Sequence, residues 1–338
     1  MHSCLKLRIG VTFDLRADYL AQGFGEEDTA EFDSEVTIAA ICGALDALGF
    51  QPERIGGVHA LVECLAKGER WDCVFNFCEG LKGVAREAQA PALLDAYDVP
   101  YVFSDPLTLA LALDKGMAKR VVRDCGVPTA PFAVIAKPGD TACLDLDFPL
   151  FLKPVAEGSG KGIGERSKVS STSELESVAA DLMRRFGQPV IAEAYLPGRE
   201  FTVGITGTDD DAEVLGVMEV LWLEHAAPHG YGYDNKEHFE GRMDYRLADD
   251  SEAREAAAVA LSAWRALRCR DGGRIDIRSD ENARPQFIEV NPLAGLNPER
   301  SDLAFIARFK GVSYLDLIRL IMNAFLRRHP KLAAPLSG

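Results

Sequence analysis

The stretch "QFIEVNPLAG", residues 286–295, carries an acid and an amide two positions apart, at Glu289 and Asn291. Side chains at alternate positions of a strand lie on the same face, so both groups can direct an oxygen at one point in space. The upstream run "GRIDIRSD" carries a similar inward-facing candidate at Asp276. We therefore expect a site rich in oxygen ligands where strands present Asp276, Glu289 and Asn291.

A glycine-rich segment, "AEGSGKGIG", follows a predicted strand that ends at Lys153. Gly162 follows Lys161 where a Walker A loop requires Ser or Thr, and the GxGxxG spacing of a dinucleotide fingerprint is missing. The backbone N–H groups of such a loop can fold over phosphate oxygens, but an ordinary mobile hairpin loop has the same composition. Lys153 favours phosphate, because a buried ammonium group is costly without an anionic partner.

Three further charged residues are candidates for contacts with the same ligand. Lys115 begins a predicted helix after an apolar run, although alone it would be interpreted as a solvated surface lysine. Glu193 ends one predicted strand and Glu200 starts the next. Acids at such a junction can accept hydrogen bonds from a ribose or an adenine amine, but each alone would be interpreted as a paired surface acid.

The order of strands and helices divides the chain into three predicted domains. Residues 1–112 alternate short apolar strands with helical patterns, which predicts βαβ units and a parallel sheet. Residues 113–205 predict a small α+β unit, whose helix has capping-box spacing from Ser171 to Glu174. Residues 206–338 form the third domain. The strands of the last part of the chain are predicted near 201–206, 214–223, 273–279 and 285–291, and its helices near 251–268 and 312–327.

Composition restricts the class of protein. The 338 residues are 47% hydrophobic, enough for real cores, and the formal net charge is -15. Binding to nucleic acid or to a membrane surface calls for clustered Lys and Arg, so we expect neither partner. The eight cysteines show no CxxC pair or metal spacing, and the start of the chain lacks the pattern of a signal peptide. We expect a cytoplasmic protein with reduced thiols.

Six motifs occur in an order and spacing that resemble a known superfamily: "LDK", "FPLFLKPVAEGSGKGIG", "IAEAYLPGREFTVGI", "GYDNKE", "GRIDIR" and "FIEVNPLAGLNP". They resemble the ATP-grasp superfamily, and most closely the D-alanine–D-alanine ligase family. The tail "KGVSYLDLIRLIMNAF" is similar to that family's closing helix, and "FDSEVTIAAICGALDALGF" to its first helix. The resemblance implies an α/β (α+β) chain with the ATP-grasp fold, preceded by a Rossmann-like parallel-sheet domain, with ATP between the central and C-terminal domains.

The resemblance also implies roles for the residues that match the family's motifs. Asp276, Glu289 and Asn291 match the metal ligands, an all-oxygen set of the kind that Mg²⁺ prefers. The nucleotide-binding positions, including the glycine-rich loop from 157 to 164 that covers the phosphates, are matched by Lys115, Lys153, Glu157, Gly158, Gly160, Gly162, Glu193, Leu196, Glu200 and Lys236.

Four residues match positions that act on the substrates. Arg274 matches the arginine that steadies the transferring phosphoryl group, and Gly295 matches a backbone N–H donor of the oxyanion site. Glu35 resembles the acid that holds the ammonium group of the first substrate, and Ser159 resembles the hydrogen-bonding partner of that acid.

The activity implied by the resemblance is the ATP-dependent ligation of two amino acids. ATP phosphorylates a carboxylate to an acyl phosphate, and an amine then attacks it through a tetrahedral intermediate. The implied cofactors are ATP and Mg²⁺, with two metal ions and with Mn²⁺ as a substitute. The implied partners are small-molecule amino acids and a second copy of the chain in a homodimer.

The chain departs from the family at three places around the amino-acid pockets. The family's "HG" pair after the third strand is replaced by the run "NFCEGLKGVAREAQ", which has no histidine. Glu237 follows Lys236 where the family has a tyrosine, and Arg300 lies near the carboxylate-binding position. The segment 225–243, which contains the loop histidines, is predicted to be poorly ordered without ligands. The ATP site is intact, so the chemistry is better defined than the substrates.

Three alternatives to D-alanine ligation are open from the sequence. A related ligase could join other amino acids in a natural-product pathway. A different ATP-grasp ligase could join a carboxylate that is not an amino acid to an amine or thiol, and it is favoured if Glu35 and Ser159 lie far apart. A nucleotide-binding protein without turnover is the third alternative, and the set of metal ligands, both lysines and Arg274 argue against it.

Overall fold

The computed structural model describes residues 6–222 and 243–333. In that part of the chain the helices α1–α11 span Arg16–Ala21, Glu35–Ala47, Val58–Ala66, Gln89–Ala96, Pro106–Leu113, Lys115–Asp124, Thr172–Phe186, Ser251–Ala266, Asp302–Phe309, Tyr314–Arg328 and Pro330–Ala333. The strands β1–β13 span Arg8–Phe13, Gln51–Gly56, Cys73–Phe77, Tyr101–Val102, Phe132–Ile135, Leu150–Pro154, Lys168–Val169, Val190–Ala194, Glu200–Thr206, Glu213–Trp222, Met243–Leu247, Gly272–Ser279 and Pro285–Asn291.

Short polar side chains fix where several helices begin. Asp114 caps α6, Ser171 caps α7 and Asp250 caps α8, each accepting a hydrogen bond from a backbone N–H in the first turn. Such caps satisfy donors that have no partner inside the helix. The predicted capping spacing from Ser171 to Glu174 is confirmed, and α7 ends at Gly187 in the left-handed conformation (φ 63°).

The first sheet is parallel, with strand order β2-β1-β3-β4. Strand β3 is buried along its whole length, as expected when helices cover both faces of a parallel sheet. Phe13 at the end of β1 pairs with Phe77 at the end of β3. The residues that follow these two strands therefore lie side by side at the carboxyl edge of the sheet, where open α/β sheets bind ligands.

Two antiparallel sheets follow. The first has the order β5-β8-β6-β7 and packs against α7, and the second has the order β11-β10-β9-β12-β13 and packs against α8. Trp264 of α8 is fully buried against the larger sheet. The glycine-rich loop connects β6 to β7, as the sequence predicts, and the metal-ligand candidates lie on β12 and β13.

The C-terminal helices return to the first sheet. Ile318, Ile321 and Phe325 of α10 join Ile38 and Ile41 of α2 in one hydrophobic core. The last part of the chain therefore covers the N-terminal layer while its strands carry the site. Among the described residues, no helix is both long and apolar enough to span a bilayer.

The division into three domains at residues 112 and 205 stays a prediction. Residue 205 lies inside β9, which pairs with β10 and β12 in the five-stranded sheet. The change of sheet therefore falls between Ala194 and Glu200. The segment 225–243 predicted to be poorly ordered lies outside the described residues except for its last position, Met243 in β11.

Candidate active site

The register of β12 and β13 brings the three metal-ligand candidates together. Asp276 pairs with Glu289, and Arg274 pairs with Asn291 across the two strands. Nδ2 of Asn291 lies 3.5 Å from Oδ2 of Asp276. Thr202 of β9 donates a 2.9 Å hydrogen bond to Oδ1 of Asp276. Two carboxylates and one amide on adjacent strands form an all-oxygen donor set, which suits Mg²⁺ when phosphates and water complete the shell.

Two buried lysines from different elements converge on this carboxylate pair. Nζ of Lys115 lies 3.6 Å from Oε2 of Glu289, and Nζ of Lys153 lies 3.5 Å from the same oxygen. Lys115 begins α6 and Lys153 lies on β6, so both sides of the cleft contribute a cation. Lys115 is 7% exposed to solvent and Lys153 is 4% exposed. Such cations offer the charge that bound phosphate oxygens require.

Glu193 lies between two lysines and forms an ion pair with each. Its carboxylate contacts Nζ of Lys119 at 2.5 Å and Nζ of Lys153 at 3.2 Å. Burial alone would raise the pKa of Glu193, but the two ammonium groups hold it below its usual range. Burial alone would lower the pKa of Lys153, but Glu193 and Glu289 raise it above its ordinary value. Glu193 and Lys153 therefore both stay charged, and Glu193 holds Lys153 in place.

Lys119 is the residue of this network that the sequence reasoning missed. It is 0% exposed and also donates to Oγ1 of Thr129 at 2.8 Å and to the carbonyl oxygen of Phe287 at 3.1 Å. Burial lowers the pKa of Lys119, and the carboxylate of Glu193 opposes that change. Its spacing of four residues from Lys115 puts both lysines on one face of α6, and this was the signal available in the sequence.

A cleft, here called the nucleotide cavity, lies at these charges and is lined by residues of both antiparallel sheets. Apolar side chains on one side and charged groups at one end match the pattern of a ligand pocket with a few oriented polar groups. Glu200, at the start of β9, contacts Arg278 at 3.3 Å. The residues that form this nucleotide cavity include Phe151, Lys153, Gly160, Lys161, Ile163, Glu193, Leu196, Glu200, Asp276, Arg278, Ile288 and Glu289.

The glycine-rich loop is tied to the N-terminal layer by Glu31. The backbone N–H of Gly158 donates to Oε1 of Glu31 at 2.6 Å, and Glu31 also contacts Arg86 at 2.8 Å and Lys161 at 3.4 Å. A Cβ at position 158 would lie 2.5 Å from Oε1 of Glu31, so a larger residue there would displace this carboxylate. Ser159 takes the left-handed conformation (φ 50°). The loop is therefore held over the site by an acid that the sequence reasoning missed.

A second cavity, the substrate cavity, lies on the other face of this loop, with a volume of about 340 Å³. Gly158 and Ser159 line it, whereas Gly160 and Lys161 line the nucleotide cavity. The two cavities meet at three shared residues: Lys115, Glu157 and Glu289. A group bound in one cavity can therefore reach a group bound in the other at the point where the lysine and the metal-ligand candidates lie.

Two residues predicted to act on the transferring group line the substrate cavity. Nε of Arg274 lies 3.4 Å from Oδ2 of Asp302 and 3.8 Å from Oδ1 of Asp276. Gly295 follows β13 and packs against Ser301, and a Cβ there would lie 2.8 Å from its hydroxyl oxygen. Arg300 also lines this cavity. The roles assigned to Arg274 and Gly295 stay predictions. Lys236 and Glu237 lie outside the described residues.

The structure does not bring Glu35 to the site with Ser159. Glu35 begins α2, its side chain is 60% exposed, and its two oxygens form a bidentate pair with Arg54 at 2.6 Å each. Glu35 does not line the substrate cavity. The acids just before it in the sequence, Glu31 and Asp33, do line it. The prediction for Glu35 is corrected because the first turn of a helix directs that side chain toward Arg54 on β2.

Comparison with known proteins places these features in one family. Residues 121–323 match the family model described as the D-ala D-ala ligase C-terminus. The chain is also 32% identical to the D-alanine--D-alanine ligase of Cupriavidus necator over 292 residues, which are 85% of this chain and 84% of that protein. The chain belongs to the D-alanine–D-alanine ligase family. The resemblance carried by the six motifs is confirmed.

Solved structures of this ligase family have the same fold. The structure of the D-alanine--D-alanine ligase from Bacillus anthracis complexed with ATP matches with a TM-score of 0.70 at 22% identity, covering 96% of this chain and 99% of that one. The VanG D-Ala:D-Ser ligase from Enterococcus faecalis matches with a TM-score of 0.72 at 19% identity, covering 95% and 100%. The predicted ATP-grasp fold, with its N-terminal parallel sheet, is confirmed.

Proposed function

We propose that the protein is an ATP- and Mg²⁺-dependent ligase that forms an amide bond between two amino acids through an acyl phosphate. The observation that carries the proposal is the junction of the two cavities at Lys115, Glu157 and Glu289. A carboxylate is a poor acyl donor until it is phosphorylated, so the γ-phosphate and the carboxylate must meet in one place. The family membership of the chain supports the same reaction.

The nucleotide cavity has the groups that phosphoryl transfer requires. Catalysis of this step depends mainly on positioning and on neutralising the charge of the phosphate oxygens. Lys115 and Lys153 are held at the junction by Glu289 and Glu193, so their charges are in place before the nucleotide binds. Asp276, Glu289 and Asn291 would hold Mg²⁺, which neutralises phosphate charge when bound.

The substrate cavity has the groups for the second half of the reaction. Attack of the amine on the acyl phosphate places negative charge on the former carbonyl oxygen. A backbone N–H and a guanidinium group are suitable donors to that oxygen, and Gly295 and Arg274 line this cavity. Ser159 faces the cavity from the loop. The carboxyl group of Asp33 takes the place proposed from sequence for Glu35, as the partner of a substrate ammonium group.

One observation favours a second candidate, a ligase of the same chemistry with a substrate other than D-alanine. Glu35 and Ser159 do not share the cavity, and the sequence analysis takes that separation to favour a ligase that joins a carboxylate other than an amino acid to an amine or thiol. Arg300 at the rim adds a cation where the family pattern differs. This candidate includes an enzyme of a natural-product pathway. The homodimer and the cytoplasmic location expected from sequence stay predictions.

The test is phosphate release from ATP with Mg²⁺ over a panel of D- and L-amino acids, singly and in pairs, with mass spectrometry of the products. We expect release only with amino acids present, and a dipeptide mass among the products. Release with D-alanine alone and formation of its dipeptide support the family's usual substrate. Release with other amino acids supports the second candidate, and the absence of release with every amino acid overturns the proposed function.

A further inference from the structure

The substrate cavity contains carboxyl groups that the proposed reaction does not use. Glu79 follows β3 at the carboxyl edge of the parallel sheet, and Glu87 lies in the short 3₁₀ helix that precedes α4. Both line the cavity, together with Asp33 before α2. They are brought together by three separate elements of the N-terminal layer, so their proximity is a property of the fold and not of one acidic stretch.

Three other carboxylates of the cavity form ion pairs. Glu31 pairs with Arg86 and Lys161, Glu157 with Lys161, and Glu289 with Lys115 and Lys153. By contrast, the carboxyl groups of Glu79 and Glu87 make no ion pair or side-chain hydrogen bond with residues 6–222 or 243–333. Both residues are partly exposed, and both line the cavity. A carboxyl group that has no cationic partner within the chain can take one from a bound ligand.

The pKa values of Glu79 and Glu87 are both raised, which is the shift that a bound cation would oppose. Burial raises the pKa of Glu79 well above its ordinary value, and the like charges of Glu87, Glu31 and Asp33 raise it further. Burial raises the pKa of Glu87 to about 7, against the opposing effect of Arg86. A bound cation would restore the ionised forms.

A metal ion does not fit this arrangement. Within the described ranges, no group of three or more His, Cys, Asp or Glu side chains is placed to hold a metal ion. An organic cation does not require three converging ligands, so it is the class of partner that these carboxyl groups can take. The same cavity opens at Lys115 and Glu289 onto the site of phosphoryl transfer, so its occupant is a substrate.

We infer that one of the two amino-acid substrates carries a second cationic group on its side chain, and that Glu79 and Glu87 bind this group. The inference rests on the proposed ligase function and names the substrate class. Asp33 is then free to bind the α-ammonium group. Lysine and ornithine have the required chemistry, and arginine presents a guanidinium group in the same place. Glu79 and Glu87 act as specificity determinants.

The test compares lysine with norleucine, which has the same carbon chain without the ammonium group. Phosphate release is measured with both enantiomers of each, alone and paired with alanine, for the wild type and for Glu79→Gln and Glu87→Gln. We expect kcat/KM for lysine to exceed that for norleucine in the wild type by at least about tenfold, and each variant to lose most of this difference. The matched control is Glu63→Gln, an exposed glutamate on α3 that should keep it.

A second readout separates binding from folding and from turnover. Calorimetric titration of lysine is done with the wild type and the variants in the presence of a non-hydrolysable ATP analogue, alongside thermal unfolding. We expect the variants to bind lysine more weakly while their unfolding temperature is equal or higher, because an amide removes a strained carboxyl group. A purely structural role would lower the unfolding temperature.

The outcomes distinguish the inference from the function on which it rests. Turnover of alanine or norleucine at rates equal to those of lysine and ornithine overturns the inference and leaves the ligase proposal intact. Tight lysine binding that depends on Glu79, without phosphate release from any amino acid, supports the cation site and overturns the ligase proposal. Unchanged preference for lysine in both folded variants overturns the assignment to Glu79 and Glu87.

Discussion

The two cavities that meet at Lys115 differ in how their charges are balanced. In the nucleotide cavity each buried charge has a partner within the chain: Glu193 lies between Lys119 and Lys153, and Glu289 contacts two lysines. In the substrate cavity the carboxyl groups of Glu79 and Glu87 have no such partner among the described residues. The nucleotide cavity therefore holds its charges in ion pairs, whereas the substrate cavity holds two carboxyl groups that form none with the described residues.

This difference separates chemistry from specificity. A preorganised set of charges lowers the cost of reorganisation during phosphoryl transfer, and it is the same whichever acid is activated. Carboxyl groups without a partner raise the energy of the empty protein. A ligand that carries a cation gains free energy by pairing with them, whereas a ligand without a cation leaves them unpaired and binds more weakly. Substitutions in the two cavities should therefore have opposite effects on stability.

The largest effect is expected from Asp276→Asn, which removes the carboxylate of a proposed metal ligand and keeps an oxygen for Thr202. Phosphate release with Mg²⁺ should fall by about a hundredfold or more, since the charge that balances the metal ion is lost. Thermal unfolding should change little. Asp46→Asn on the surface of α2 is the matched control. Turnover of the Asp276 variant at the wild-type rate contradicts the metal assignment.

Glu193→Gln tests whether the nucleotide cavity is held together by paired charges. The variant leaves Lys119 and Lys153 buried without their shared carboxylate, so the free energy of unfolding should fall by about 3 kcal/mol. Urea titration measures this free energy, with Glu213→Gln, at an exposed position of β10, as the control. A loss under about 0.5 kcal/mol in the Glu193 variant would show that the network contributes no net stability.

Glu87→Gln should have the opposite sign and depend on pH. Burial raises the pKa of Glu87 from 4.5 to about 7, so the folded state retains a proton that the unfolded state has lost. Wild-type stability should therefore fall as the pH rises from about 4.5 to about 7, by roughly 2 kcal/mol from this group. The variant should lack that part of the loss. Urea titrations at pH 5 and pH 8 measure the free energy of unfolding of both proteins. If the wild type and the variant lose the same amount between the two pH values, ionisation of Glu87 does not destabilise the folded state.

The smallest effect is expected from Glu35→Gln. This variant tests whether Glu35 lies outside the substrate cavity. Its exposed pair with Arg54 should contribute less than about 0.5 kcal/mol to stability, and KM for the amino acids should stay within about twofold. Asp33→Asn, two residues earlier, should raise that KM by about tenfold. The reverse result, with Glu35→Gln raising KM and Asp33→Asn inert, would restore the assignment made from sequence.

The ATP side of the site could be read from the sequence because its residues lie on regular elements. Glu289 and Asn291 alternate on one strand, and Lys153 ends another, so spacing alone indicates which side chains share a face. The substrate side could not be read in this way. Glu31, Asp33, Glu79 and Glu87 lie in turns and a 3₁₀ helix, where no period relates position to direction. Glu35 lies on a helix, but its partner, Arg54 on β2, is set by the packing of α2 against the sheet.

The sequence by itself determined the order of strands and helices, the candidate oxygen ligands at Asp276, Glu289 and Asn291, and the family of the chain. These depend on local periodicity and on motif order, which the chain carries without folding. Tertiary structure decided which charges are paired. Lys119 meets Glu193, and Glu79 and Glu87 line one cavity, only because separate layers pack against each other. Pairing depends on distances between segments remote in sequence, and packing alone sets those distances.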